Sequence, residues 1–177
     1  MDGRNQQITV FPSGKSTGRM MTNAGKSRSV GTETEISYAR GRFQAHLSHG
    51  WCNARFMEYN DGNADYSGNR IPYSPEQTLY ISAAYRQPLN NGKALSAEAD
   101  LRMAGPVYWD EANRIREAAH PEPGARLAFR FPKGEIYLRG DHLTSARWPV
   151  FHFKSVGKEF FATSKPTTVR IGLSLKL

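Results

Sequence analysis

The sequence contains no long apolar run and only a single cysteine. No stretch of about 18 apolar residues occurs in its 177 residues, which excludes a transmembrane helix. Because Cys52 is the only cysteine, an intrachain disulfide and a cysteine-based metal cluster are also excluded. The mean hydropathy of −0.62 still permits a membrane-embedded β-barrel, since only every second residue of a barrel strand faces lipid.

The N-terminus lacks the features of a secretory signal peptide. Residues 1–7 carry neither an apolar core nor a cleavage site. Export of the chain would therefore require a signal that these residues do not supply.

The chain also lacks the residue patterns of an enzyme, a metal site or a nucleic-acid-binding protein. His46 and His49 are three positions apart on an expected strand, so they would face opposite sides and could not share a metal. Paired carboxylates such as Glu33 and Glu35 could act as acid and base, but no nucleophile or phosphate loop accompanies them. The net charge of +8 comes with no DNA- or RNA-binding motif. We therefore expect no enzyme activity, no cofactor, no metal and no nucleic-acid partner.

What the sequence does contain is a regular alternation of apolar and polar residues, which is the period of a β-strand. The alternation runs unbroken through Val169–Leu177. At about 3.3 Å per residue and a tilt of about 45°, this strand would rise about 21 Å, close to the apolar band of an outer-membrane barrel. The sequence predicts about eight strands and no helix: Asn5–Phe11, Ser27–Ala39, Phe43–Glu58, Glu76–Arg86, Ala94–Ala104, Ala125–Phe131, Glu135–Thr144 and Thr167–Leu177.

Short and long connections between these strands alternate strictly. Three are tight turns, at Arg40–Arg42, Pro88–Lys93 and Pro132–Gly134. In an up-and-down antiparallel sheet, this order places every short turn at one end and every long loop at the other, as in bacterial outer-membrane barrels. The predicted long loops are Pro12–Lys26, Tyr59–Pro75, Pro106–Gly124 and Ser145–Pro166.

The two faces of the predicted sheet differ in chemistry. Charges of both signs occupy one parity, as expected for a water-filled or plugged lumen, although the solvent face of a soluble sheet would look the same. We predict that the lumen-facing residues are Glu33, Glu35, Glu98, Asp100, Arg102, Arg126, Arg130, Arg139, Arg170 and Lys176. The opposite, lipid-facing parity carries aromatic residues near the short turns, and these predict an aromatic girdle formed by Tyr38, Phe43, Tyr85 and Phe131.

Further aromatic residues occur towards the long-loop end of the chain. They could form a second girdle, which is the interpretation we prefer here, or contact a ligand at the outer mouth. The candidate ligand contacts are Tyr66, Tyr73, Tyr108, Trp109 and Trp148.

Four segments, in order along the chain, resemble motifs of TonB-dependent outer-membrane receptors. Residues 23–35 (NAGKSRSVGTETE) resemble that family's "NAGKA…G.E.E" strand, and residues 67–78 (SGNRIPYSPEQT) its "GN.(I/L)P.(A/S)P..T" entry into a strand. Residues 105–113 (GPVYWDEAN) resemble a "G..Y.DE.N" element, and residues 164–168 (SKPTT) precede the last strand as "G.PRT" does in the family.

The resemblance implies that residues 1–177 are the C-terminal portion of a receptor barrel, with neither a plug domain nor a TonB-contacting segment. Its implied setting is the bacterial outer membrane, and its implied partners are membrane lipid, the TonB system through a plug outside this chain, and the barrel-assembly machinery. Assembly would depend on the C-terminal strand, where Leu177 stands in place of the family's usual phenylalanine. The substrate would be an iron chelate, cobalamin or a glycan, and the chain alone would not transport it.

Two other interpretations remain open on the sequence alone. One is a stand-alone outer-membrane barrel of about eight strands with a structural or adhesive role, since eight strands can close into a filled barrel. The other is a soluble basic β-protein that binds an anionic ligand. The receptor barrel and the stand-alone barrel give the same expected fold class. It is all-β, an antiparallel up-and-down transmembrane barrel that is partial in the first case and small and closed in the second.

Overall fold

The chain is built from β-strands joined by turns and loops. The computed structural model describes the backbone of residues 2–10, 20–155 and 158–176, and the side chains of residues 25–153 and 158–176. No helix that is long and apolar enough to cross a bilayer occurs in these described ranges. The strands are β1 Asp2–Val10, β2 Met20–Arg40, β3 Phe43–Glu58, β4 Gln77–Pro88, β5 Ala94–Ala104, β6 Val107–Tyr108, β7 Arg116–Glu117, β8 His120–Phe131, β9 Gly134–Asp141, β10 Pro149–Ser155, β11 Lys158–Thr163 and β12 Thr168–Leu175.

Eight of these strands form one antiparallel sheet in the order β1-β2-β3-β4-β5-β8-β9-β12. Each strand pairs with the next main-sheet strand along the chain, so the sheet is an up-and-down meander, and the predicted fold class is confirmed. In the described part of the chain β1 pairs with β2 and β12 with β9, which leaves the sheet open. This matches the partial barrel rather than the small closed one.

The eight predicted strands correspond to the eight strands of this sheet, with three corrections. The predicted strand Glu135–Thr144 is too long, because β9 ends at Asp141. The predicted loop 12–26 is wrong over residues 20–26, because β2 already begins at Met20. The predicted loop 106–124 is wrong at its end, because β8 begins at His120 and contains two prolines. Proline is tolerated there because β8 pairs only with β5 before Ala125 and behaves locally as an edge strand. Residues 11–19 and Leu177 lie outside the described residues.

The predicted short turns are confirmed. Gly41 has a φ of 58° in the first turn, and Asn91 and Gly92 have φ values of 58° and 68° in the second. These left-handed conformations are the ones that tight hairpin turns require and that glycine and asparagine adopt at least cost.

Two of the long connections contain hairpins that the sequence did not predict. β6 and β7 pair within the connection between β5 and β8, and β10 and β11 pair within the connection between β9 and β12. Both hairpins lie at the long-loop end of the sheet.

The register aligns the two faces across the sheet. Residues directly opposite on antiparallel strands point to the same side, and Leu47 is opposite Ile81, which in turn is opposite Leu101. Between Ala94 and Asp100 of β5, the polar-face residues are more buried than the apolar-face residues: Asp100 is 7% exposed, whereas Leu95 is 50% exposed. This part of the sheet therefore shields its charged side and exposes its apolar side.

Candidate functional site

The charged residues predicted to line a lumen lie on one face of the sheet. The register connects Glu35 through Ser48 and Tyr80 to Arg102, and all of the predicted residues within paired strands share this parity. Lys176 directly follows the last paired residues, and its amide donates to the carbonyl oxygen of Lys133 at 2.9 Å. That this face borders a water-filled lumen stays a prediction.

Ion pairs connect neighbouring strands across this polar face. Arg139 on β9 lies 2.8 Å from Asp100 on β5 and 2.8 Å from Asp141 on its own strand. Asp141 also accepts a hydrogen bond from Arg170 on β12. Gly124, which lies between β5 and β9, provides the space, because a Cβ there would lie 2.7 Å from the Arg139 guanidinium.

The four residues of the predicted girdle lie on the opposite, apolar face near the short turns. Phe43 is directly opposite Tyr85, and the rings of Tyr38 and Phe43 are 6.2 Å apart across the first turn. Phe131 lies over Gly134, where a Cβ would come within 3.1 Å of its ring. The face also carries a continuous set of exposed apolar side chains on the last strand: Val169, Ile171, Leu173 and Leu175.

At the long-loop end, the loop after β3 folds around its own apolar cluster. Phe56 is 0% and Tyr59 3% exposed, and their rings are 4.7 Å apart. Tyr66 packs on Tyr59 with ring centroids 5.6 Å apart. Burial raises the pKa of Tyr59 to about 12, and the nearby carboxylates of Glu111 and Asp61 contribute in the same direction. This part of the loop is therefore a folded unit, which sets the path of the chain into β4.

Tyr73 connects this loop to both hairpins. Its backbone N–H donates to the carbonyl oxygen of Tyr108 in β6 at 2.9 Å. Its hydroxyl donates to the carbonyl oxygen of His152 in β10 at 3.1 Å. Its ring lies 5.6 Å from that of Trp109 and stacks on that of Phe151 at 5.5 Å. One side chain thus joins three loop segments that are far apart in the sequence.

The three segments enclose a pocket of about 450 Å³. Its wall combines Tyr73, Trp109 and Phe151 with a second aromatic pair, His120 and Trp148, whose rings stack at 4.7 Å. The volume lies within the range of about 300–1,000 Å³ that is typical of small-molecule sites.

The pocket wall also carries two carboxylates, each paired with a histidine. Glu117 lies 2.6 Å from His120 Nε2, and Glu122 lies 3.3 Å from His142 Nε2. The pocket can therefore stack on flat rings and accept hydrogen bonds at its margin.

The five predicted outer-mouth residues separate into two groups. Tyr73, Trp109 and Trp148 meet at the pocket, whereas Tyr66 packs in the Tyr59 cluster and Tyr108 contributes its backbone to the β6–β7 hairpin. A role in ligand contact stays a prediction for all five. Sequence reasoning missed Phe151 and His120, although the run of phenylalanines in residues 151–161 was an available signal.

His46 and His49 face opposite sides of the sheet, as their spacing of three residues predicts. His46 is opposite Ser82 on the polar face, whereas His49 is opposite Leu79 on the apolar face. In the described part of the chain, no group of three or more His, Cys, Asp or Glu residues is placed to hold a metal ion.

Comparison with known proteins matches residues 1–141 to a family described as TonB dependent receptor-like, beta-barrel. Two solved structures share the fold with a TM-score of 0.74. The ferric yersiniabactin uptake receptor FyuA from Yersinia pestis is 22% identical, over 86% of this chain and 24% of the receptor. The siderophore receptor PiuA from Acinetobacter baumannii is 15% identical, over 97% of this chain and 24% of the receptor.

A third similar structure is BauA, the ferric preacinetobactin receptor of Acinetobacter baumannii. It is 12% identical with a TM-score of 0.68, over 95% of this chain and 25% of the receptor. The chain therefore spans about a quarter of the length of each of these receptors.

Proposed function

Because the chain belongs to the TonB dependent receptor-like β-barrel family, we propose that it forms part of the wall of a receptor in the bacterial outer membrane. The observation that carries this proposal is the separation of the two faces, with exposed apolar side chains on one and interstrand ion pairs on the other. The strands of this sheet satisfy one another's backbone hydrogen bonds except at its two open edges, which other strands of the receptor barrel would pair, and its apolar face would lie against lipid. The aromatic residues beside the short turns would lie at the membrane interface.

The substrate that we propose is a ferric chelate bearing aromatic rings. Two of the similar structures are receptors for the ferric compounds yersiniabactin and preacinetobactin, and the pocket around Tyr73 offers flat aromatic surfaces for stacking. Cobalamin and glycans, which are also taken up by members of this family, are the competing substrate classes. Transport itself would require a plug domain and the TonB system.

Ligand binding can be measured by quenching of tryptophan fluorescence in the detergent-solubilised protein. Trp109 and Trp148 lie in the pocket wall, whereas Trp51 lies on the apolar face of β3. A ferric catecholate or phenolate chelate that occupies the pocket should quench fluorescence equally well in wild type and in Trp51→Phe. Quenching should be largely lost in Trp109→Phe combined with Trp148→Phe.

A pair of variants at Tyr73 tests the stacking. Tyr73→Ala removes a ring that lines the pocket, and we expect it to weaken ligand binding by up to about tenfold, since one aromatic ring stacked on the ligand contributes about 0.5–1.5 kcal/mol. Tyr73→Phe keeps the ring and loses the hydroxyl bond to His152, so it should bind within about threefold of wild type. Stronger quenching by cobalamin or an oligosaccharide than by any ferric chelate would contradict the proposed substrate class.

Membrane embedding has a separate test. The protein should fold only in detergent or lipid, and it should show the altered gel mobility on heating that is expected of a folded barrel. A chain that is folded and monomeric without detergent would favour a soluble β-protein and overturn the proposal.

A further inference from the structure

The apolar face of the sheet contains a groove near its short-turn end. The groove has a volume of about 580 Å³ and extends across strands β4, β5, β8, β9 and β12. Ala97 forms its floor between the larger side chains of Leu95 and Leu127, which are 50% and 60% exposed. Ile171 on β12, 78% exposed, forms the far wall. Leucine and isoleucine side chains form much of the wall, with the rings of Tyr85 and Phe129 beside them, and a flexible hydrocarbon chain can follow such an open, uneven surface.

Polar groups converge at the edge of the groove nearest the turns. Tyr85 and Gln87 both line the groove, and the Tyr85 hydroxyl donates to Gln87 Oε1 at 3.1 Å. The Arg42 guanidinium, from the neighbouring turn, donates to the same oxygen at 2.6 Å. Because Gln87 is neutral, this hydrogen bond holds Arg42 at the groove edge without neutralising its positive charge.

The surrounding turns are basic. Between residues 39 and 43, 85 and 95, and 130 and 134, the sequence contains arginines and lysines and no aspartate or glutamate. Glu135, the next carboxylate along the chain, is hydrogen-bonded to Arg126 and Arg130. The short-turn end therefore presents a positive rim directly beside an apolar groove.

We propose that this site binds one anionic phospholipid of the leaflet at the short-turn end, with an acyl chain in the groove and the phosphate on Arg42. Guanidinium groups bind phosphate through charge-assisted hydrogen bonds, and clustered basic side chains attract anionic lipid over zwitterionic lipid. Tyr85 and Gln87, whose side chains are hydrogen-bonded to each other, position the Arg42 guanidinium at headgroup depth. The inference depends on the proposed function only for the premise that the apolar face contacts a bilayer.

The test is native mass spectrometry of the full chain in a mild detergent, titrated with phosphatidylglycerol or with phosphatidylethanolamine of the same acyl composition. We expect phosphatidylglycerol to bind at least about tenfold more tightly, which corresponds to about 1.4 kcal/mol. Arg42→Gln should reduce this preference to less than about threefold. Arg40→Gln removes the same charge from the same turn without touching Gln87, so it should keep the preference.

The groove has its own matched pair of variants. Ala97→Phe fills the groove and should weaken binding of both lipids, whereas Ala99→Phe adds the same volume two residues along the strand, outside the groove. Heat-dependent gel mobility checks that each variant folds. Equal binding of the two lipids by wild type, equal effects of Arg40→Gln and Arg42→Gln, or unchanged binding by Ala97→Phe would each overturn the inference.

The same experiment separates this inference from the proposed function. A chain that folds without detergent contradicts membrane embedding, and the lipid site falls with it. A chain that folds only in detergent but does not discriminate between the lipids contradicts the lipid site alone.

Discussion

At the scale of single residues, Gly172 on β12 is a position where size is tightly limited. A Cβ there would lie 2.3 Å from the ring of Tyr137, which covers the glycine on the polar face. The Arg126 guanidinium lies over the same ring at 4.6 Å from its centroid. A glycine, an aromatic ring and a cation thus stack across β12, β9 and β8.

We predict that Gly172→Ala lowers the free energy of unfolding by about 1–3 kcal/mol, the usual cost of overpacking. Gly140→Ala is the matched control, because its Cβ would meet only the flexible end of Leu143 at 2.8 Å and should cost less. Urea titration of the folded, detergent-bound protein provides the measurement. In the Tyr137→Leu background the cost of Gly172→Ala should shrink, and a cost that is unchanged there would contradict the stacking.

The half-buried carboxylate of Glu111 makes the loop after β3 sensitive to pH. Burial raises the pKa of Glu111, with the nearby charges of Asp110 and Asp61 adding to the effect. A raised folded-state pKa favours the protonated form, so its stabilising contribution is present at acidic pH and is lost as pH rises through the folded-state pKa. We expect Glu111→Gln to slow amide hydrogen exchange in residues 66–71 at pH 7 and to leave it nearly unchanged at pH 4.

Asp61 supplies a control, because its pKa is shifted in the opposite direction from that of Glu111. Hydrogen bonds from the backbone N–H groups of Asn63 and Ala64 hold the pKa of Asp61 below its usual value. Its contribution is therefore present at neutral pH and is lost as pH falls through the lowered pKa. Asp61→Asn should speed exchange at pH 7. If both variants shift exchange in the same direction at pH 7, the assigned burial of Glu111 is wrong.

At the scale of elements, the side-chain amide of Asn113 makes two of the hydrogen bonds that attach the connection between β6 and β7 to the loop after β3. Asn113 Oδ1 accepts from the backbone N–H of Arg70 at 2.7 Å, and Asn113 Nδ2 donates to the carbonyl oxygen of Arg70 at 3.0 Å. Asn113 has a φ of 56°, a conformation that asparagine tolerates better than most residues. The amide thus replaces a pair of strand hydrogen bonds between two loops.

Substitution of Asn113 separates the amide from the backbone conformation. Asn113→Gly keeps the left-handed φ and removes both bonds to Arg70, so we expect weaker ligand binding, by about threefold to tenfold, and faster exchange at Arg70. Asn91→Gly is the control, because Asn91 has a φ of 58° in a short turn far from the pocket. Wild-type binding by Asn113→Gly would show that the hairpin position does not depend on this contact.

Strand alternation predicted the main sheet because each of its strands has one polar and one apolar face. The bounds of β3 and β5 were predicted to the residue. β8 was predicted too short, because Pro121 and Pro123 resemble loop residues until the register shows that one side of β8 is unpaired there. The β10–β11 hairpin was missed since the adjacent Phe160 and Phe161 break the alternation in β11, and its position depends on Tyr73, which is distant in the sequence.

At the scale of the whole molecule, the alternation of short and long connections predicted which end of the sheet carries the loops. It could not predict the pocket, because the rings of Tyr73, Trp109 and Phe151 meet only after three separate loops fold together. The separation of faces depends on every strand keeping its register, since a shift by one residue would exchange the two faces. At the open edge of the sheet, β12 has only β9 as a described neighbour, so that single pairing fixes its register.

Two adjacent residues of β12 test which face of the sheet contacts lipid. Ile171 is opposite Leu138 near the middle of the strand, on the apolar face, whereas Arg170 is opposite Arg139 on the polar face. We expect Ile171→Arg to block insertion, since an arginine facing lipid near the midplane costs roughly 2–4 kcal/mol. Arg170→Gln should insert normally, because it removes only the bond to Asp141, which remains paired with Arg139.

Heat-dependent gel mobility after reconstitution into lipid vesicles measures the inserted fraction of each variant. Ile171→Gln adds a polar but uncharged side chain at the same position and should insert with an intermediate yield, which separates the cost of charge from the loss of apolar area. The order wild type, Arg170→Gln, Ile171→Gln, Ile171→Arg is expected only if the apolar face meets the bilayer. Equal insertion of Ile171→Arg and Arg170→Gln would mean that both faces of β12 contact water, and the barrel-wall assignment would have to be abandoned.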